Sequence, residues 1–167
     1  MSEQIDDICY KQIIENILTN EEFNKLKYIE HHGTTRFDHS MRVSYYSYKL
    51  AKMMHLSDIE VARAGLLHDF FLSDMERTFK DKIVSTFVHP KYAVMNATKY
   101  YELSDKEVDI IKSHMFPIYT AIPKYAESWI VSMIDKIVGT YEFCLHFRHK
   151  FAYAFNIYIL FLINIIK

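Results

Sequence analysis

Apolar positions along most of the chain recur every three or four residues, the period of a helix with one buried face. Ile5, Ile8, Cys9, Ile13 and Ile17 predict a first amphipathic helix. Thr19 with Glu22 has the form of a capping box and opens a second helix through about Ile29. His31 to Phe37, with Gly33 and two threonines, reads as a loop. A third helix starts near Asp38, taken as its N-cap, and runs to about His55 with Val43, Tyr46, Leu50 and Met53 or Met54 inward. Ser57 and Glu60 open a fourth, which carries Val61, Ala64, Leu67 and His68. The stretch from Phe70 to Lys82 is mixed and reads as a loop with a short helix, after which Pro90 suits the first position of a new helix. Ser104 and Glu107 form another capping box, for a helix ending near His114. Pro117 and Pro123 bracket a connection, and a long helix follows from about Lys124 to the His146 region. The expected class is all-α.

Composition narrows the function. A chain of 167 residues suits one domain around one core. Three glycines are too few for a glycine-rich phosphate loop or a dinucleotide fold. A net charge of -1 provides no broad basic surface, so a nucleic-acid polymer is not the expected partner. Cys9 and Cys144 form no C-x-x-C pair, which fits a reducing compartment. Met1 to Asp7 lacks the basic and apolar regions of a signal peptide, and the expected location is the cytoplasm.

Phe151 to Ile166 carries no charge. Three readings compete for this tail: a helix buried on the domain or at a dimer interface, a membrane contact, and an irregular tail. Arg148, His149 and Lys150 precede it, as at a membrane edge. Its 16 residues nevertheless fall short of the roughly 20 that span a bilayer, which favours the first reading.

Nine histidines are the anomaly. Six residues stand out: His39, His68, Asp69, His89, His114 and Asp135, expected at helix ends and spaced by 29, 1, 20, 25 and 21 residues. Each long gap is about one helix and one connection, and helical bundles build metal sites from side chains that converge in this way. Imidazole and carboxylate suit first-row metals. His39, His68, Asp69 and Asp135 suffice for one metal with open positions. His89 and His114 supply donors for a second, and Asp69 has two oxygens with which to bridge.

These residues carry a resemblance. Arg36-Phe37-Asp38-His39-Ser40, Gly65-Leu66-Leu67-His68-Asp69-Phe70, His89-Pro90, Ser113-His114 and Asp135-Lys136 resemble the HD superfamily of metal-dependent phosphohydrolases over residues from about 25 to 145. The match looks nearest to small stand-alone bacterial members. It implies an all-α, single helical HD-domain bundle over residues 1–150, with 151–167 as an apolar C-terminal helix. It also implies that His39, His68, Asp69 and Asp135 are ligands, with His89 and His114 similar to the pattern of the two-metal branches. Those branches include cyclic-dinucleotide phosphodiesterases and diadenosine tetraphosphate hydrolases. Mixed-valent di-iron oxygenases share the ligand order. The second motif of the cyclic-dinucleotide group and a tandem histidine near His114 are both missing, which argues against that substrate.

The expected activity is therefore hydrolysis of a nucleotide or another small phosphate ester. One or two divalent ions (Fe, Mn, Zn, Co, Ni or Mg) would lower the pKa of a bridging water that attacks phosphorus. Asp69 is the central catalytic residue. Arg36 is the first choice to hold phosphate because its planar fork matches phosphate oxygens. Lys136 and Lys91 follow, with Asp74 or Glu76 as proton carriers. The alternatives are a di-iron oxygenase and a regulatory module with a structural metal. A homodimer is the expected assembly. His31 and His32 either fill a loop or reach a substrate, His55, His146 and His149 read as solvated, and Tyr45, Tyr46 and Tyr48 read mainly as packing.

Overall fold

The computed structural model describes residues 7–31, 33–72 and 79–166, with the side chains of all but 31, 79–87, 149–150 and 154–166. Among the described residues there are seven helices: α1 (Ile8–Leu18), α2 (Glu21–Asn24), α3 (Arg36–Met53), α4 (Asp58–Leu67), α5 (Phe79–Tyr100), α6 (Asp105–Ser113) and α7 (Ala126–Ile166). A 3₁₀ turn (Lys25–Tyr28) and a minimal antiparallel hairpin join α2 to α3. In the hairpin, β1 (Glu30–His31) pairs with β2 (Thr34–Thr35) around Gly33, whose φ of 85° is natural only for glycine. The expected all-α class holds, although the segment read as a plain loop contains this hairpin.

α3 is the central element, packed against α4 and α7. Its buried face is His39, Ser40, Val43, Ser44, Ser47, Tyr48 and Ala51. The expectation from hydropathy was different and needs correction: Tyr46, Met53 and Met54 are 39%, 72% and 52% exposed. The physical reason is close helix approach. A Cβ added at Gly65 of α4 would lie 3.1 Å from Ser44 Cα, so small residues, not large apolar ones, line this contact. Ser44 Oγ donates to the Ala62 carbonyl (2.6 Å) and accepts from Tyr10 Oη (2.8 Å), which satisfies its buried hydroxyl and ties α1 to α3 and α4. Leu66, Leu67, Ile110, Ile111 and Phe70 fill the core around this seam.

Helix starts show which expectations held. Ser104 and Glu107 make the full reciprocal capping box of α6. The α2 cap is Asn20, not Thr19; its Oδ1 accepts from Glu22 and Phe23 N–H, while Thr19 closes α1. Thr35, not Asp38, caps α3, and Asp38 answers by accepting from Thr35 Oγ1 at 2.7 Å. Ser57 caps α4 without a side-chain hydrogen bond to the backbone of the first turn. Pro90 does not start a helix: it lies inside α5, where its missing N–H removes one helical hydrogen bond. α7 does not stop near His146 but runs 41 residues without a break. Its Phe147, Phe151 and Tyr153 are 61%, 67% and 70% exposed. No helix among the described residues is long and apolar enough to cross a membrane.

Candidate metal centre

The adjacent His68 and Asp69 sit where α4 ends, and hydrogen bonds to the freed carbonyls hold this turn. His68 Nδ1 donates to the Gly65 carbonyl at 2.7 Å. Asn96 Nδ2 donates to the Phe70 carbonyl at 3.0 Å, and Arg36 Nη1 to the Phe71 carbonyl at 2.5 Å. The end of α6 repeats the device: His114 Nδ1 donates to the Ile111 carbonyl at 2.7 Å. A carbonyl only accepts, so Nδ1 carries the hydrogen in both rings. In the neutral form of each ring Nε2 then carries the lone pair with which imidazole binds a metal.

These lone pairs meet side chains from three other helices. Asp135 of α7 places Oδ1 3.0 Å from His39 Nε2 and 3.6 Å from His68 Nε2. On the other side, His89 Nε2 lies 2.9 Å from His114 Nε2. Asp69 stands between the two groups. Its Oδ2 is 4.0 Å from His68 Nε2, and its Oδ1 is 3.4 Å from His89 Nε2 and 3.7 Å from His114 Nε2. Two sets of ligand atoms lie within 4.8 Å of one another: His39, His68 and Asp135, and His68, Asp69 and His114.

The residues fit a metal. His68 Nε2 is buried and has no hydrogen-bond partner among the described residues, and leaving such an atom unsatisfied costs about 1–3 kcal/mol. A cation among these nitrogens and carboxylate oxygens would satisfy it, and the donor set suits first-row divalent ions.

Electrostatics differ across the cluster. Burial pulls the His39 pKa down, but hydrogen bonds to Asp135 and Glu142 outweigh it and raise the value to about 10. Burial, reinforced by the neighbouring His68 and His89, pushes His114 down to about 3. His114 is therefore neutral at physiological pH. With its Nδ1–H committed to Ile111, its Nε2 accepts from His89 Nε2. Burial works to raise the Asp135 pKa, yet the hydrogen bond from His39 and the neighbouring His68 and His114 rings hold it well below the usual carboxylate range.

All six expected ligand residues come together, though not all at helix ends. His68 and His114 end α4 and α6, and His39 lies in the first turn of α3. His89 and Asp135 are interior to α5 and α7. Arg36 is 5% exposed; besides its bond to Phe71 it places Nε 3.9 Å from Asp69 Oδ2. Lys136 Nζ donates to the His114 carbonyl (2.8 Å), the Ser132 carbonyl (3.0 Å) and Ser132 Oγ (2.9 Å). Burial lowers the Lys136 pKa. Lys91 is exposed on α5, two residues and about 200° around the helix from His89. Asp74, Glu76 and His32 lie outside the described residues, as does the side chain of His31. His55 is exposed as expected. His146 is not simply solvated: a Cβ at Gly33 would meet its ring at 2.5 Å, so the hairpin tip rests on it. Tyr48 packs against Tyr10, with ring centroids 5.3 Å apart.

Sequence reading passed over Glu142 and Arg42. Glu142 Oε2 accepts from His39 Nδ1 at 2.8 Å, and Arg42 Nη1 donates to Glu142 Oε1 at 2.5 Å. The signal was present in the spacing. Glu142 follows Asp135 by seven residues, two helical turns and hence nearly the same face, and Arg42 follows His39 by three.

The family model for the HD domain matches residues 36–139, more than half of the chain. No curated protein and no solved structure matches the chain at a significant level.

Proposed function

Because the chain belongs to the HD domain family, a superfamily of metal-dependent phosphohydrolases, we propose that it hydrolyses a nucleotide or another small phosphate ester with one or two divalent ions. The observation that carries this reading is Asp69, whose Oδ2 lies 4.0 Å from His68 Nε2 while its Oδ1 lies 3.4 Å from His89 Nε2 and 3.7 Å from His114 Nε2. In this reading His39, His68, Asp69 and Asp135 hold one ion, and Asp69, His89 and His114 hold the second. Bound there, the ions polarise phosphoryl oxygens and lower the pKa of coordinated water.

The protein's own contribution is orientation. Gly65 and Ile111 carbonyls fix the tautomers of His68 and His114. Lys136 holds the carbonyl of His114 in place. Arg36 backs Asp69 from the protein side, so we assign it the role of positioning Asp69. Lys91, exposed on α5 and about 200° around the helix from His89, is kept only as a contact for an outlying part of a substrate. Cys9 and Cys144 are exposed free thiols, which fits a cytoplasmic setting.

The test joins metal analysis with turnover. Metal content is measured on the purified protein, and phosphate release is followed on phosphomonoesters, cyclic nucleotides and dinucleoside polyphosphates with manganese, cobalt or iron. Metal-dependent release that chelation abolishes is expected. Nucleotide binding without turnover would make the domain a regulatory module. Oxygen uptake with a mixed-valent iron signal would make it an oxygenase.

A further inference from the structure

We infer that Glu142, held in turn by Arg42, is a positioning residue that grips Nδ1 of His39 and so fixes the ring for metal binding through Nε2. Glu142 lies beyond residue 139, where the family match ends, so the inference comes from geometry. It rests on the reading of His39 as a metal ligand.

His39 is gripped on both nitrogens by one helix. Asp135 meets Nε2 at 3.0 Å, and Glu142, two turns later on α7, meets Nδ1 at 2.8 Å. With Nδ1 committed to Glu142, only Nε2 faces His68 and Asp135. A ligand histidine whose other nitrogen donates to a carboxylate is locked in tautomer and ring orientation and is a stronger donor. His68 and His114 use backbone carbonyls for the same purpose; His39 uses a charged group.

The carboxylate is itself secured. Glu142 is 5% exposed, and a buried charge persists only when it is paired. Arg42 supplies the pair at 2.5 Å from Glu142 Oε1 and also reaches Thr34 Oγ1 of the hairpin at 3.4 Å. The hairpin tip at Gly33 rests on His146, one turn beyond Glu142 on α7. α3, α7 and the hairpin thus close a ring of contacts around the outer face of His39.

The test uses the full chain stripped of metal by a chelator, with cobalt(II) as the probe. Affinity is read by calorimetry, ligand geometry by the visible absorption of bound cobalt, and folding by circular dichroism. Glu142→Met removes the acceptor at similar volume. It should weaken cobalt binding about 10–100-fold and alter the absorption bands while keeping the helical signal. Glu142→Gln keeps an acceptor oxygen and should recover most of the affinity. Glu127→Gln is the control: this buried glutamate of α7 pairs with Lys106 at 2.7 Å, away from the cluster, and should bind cobalt like the wild type.

Wild-type affinity and spectrum in Glu142→Met would overturn the inference. If that variant does not fold, Arg42→Met is read in its place, with a smaller loss expected and wild-type binding again overturning the inference. His39→Ala separates the two levels. If it binds cobalt like the wild type, the ligand reading of His39 fails; if it loses cobalt while Glu142→Met does not, only the positioning role falls.

Discussion

The two halves of the histidine–aspartate cluster are built from the same residue types and have opposite electrostatics. Around His39, carboxylates approach both ring nitrogens, and the imidazole is driven toward its charged form, with a pKa raised to about 10 despite burial. Around His114, two other imidazoles crowd a fully buried ring, and its pKa falls to about 3. The first half stores positive charge against Asp135 and Glu142. The second holds a neutral His114 whose Nε2 lone pair accepts from His89. The lesson is that ligand identity does not set ligand state; what surrounds each ring does, two carboxylates in one case and burial among other imidazoles in the other.

Asp69 is the shared boundary, and removing its charge is the severest way to test whether there are two halves at all. Asp69→Asn keeps the shape and removes the anion that faces both. Metal should be lost from both halves, and activity should fall by more than the roughly 10–100-fold attributable to a supporting partner. Elemental analysis of the variant checks this. Loss of one equivalent with the other intact would confine Asp69 to one half.

The next test separates the halves. His114→Ala and His89→Ala should each lose about one equivalent of metal and retain the other, and His39→Ala should lose the opposite one. If wild-type protein holds a single ion and the His89 and His114 variants keep full activity, the second half is not a metal site. If every variant is stripped completely, the halves behave as one cooperative centre.

How much of this was legible in the sequence follows from the kind of contact involved. His68, His114 and the capping box at Ser104 rest on local geometry, in which a helix end lies three residues from its partner, and local geometry is written in spacing. The convergence of His39, His89 and Asp135 was also expected, but for a partly mistaken reason. His89 and Asp135 are mid-helix residues, and Pro90 misled because proline marks a helix start more often than an interior. The inward face of α3 was misread in part: Val43 is buried as expected, but hydropathy points to Tyr46 and Met53, whereas tight packing on Gly65 selects Ser44, and Ser40 and Ser47 are buried on the same helix. Glu142 was passed over because a glutamate on a helix reads as solvated until its partner, 103 residues away in sequence, is placed beside it.

Arg36 sharpens the comparison last and with the smallest expected effect, because it touches neither half directly but stands behind their common ligand. Sequence chemistry favoured it as a phosphate clamp. Its burial and its bond to the Phe71 carbonyl favour a structural task instead. Arg36→Ala leaves that buried carbonyl without its donor, which should lower stability by about 1–3 kcal/mol and Tm by roughly 2–12 °C. It also removes the cation 3.9 Å from Asp69 Oδ2, the oxygen turned toward His68. Metal affinity should therefore drop more in the His39 half than in the His114 half, and less than in Asp69→Asn. Thermal melts with and without added cobalt measure both effects. A raised KM for a phosphorylated substrate, with metal content and Tm unchanged, would return Arg36 to the substrate and leave Asp69 held by the turn alone.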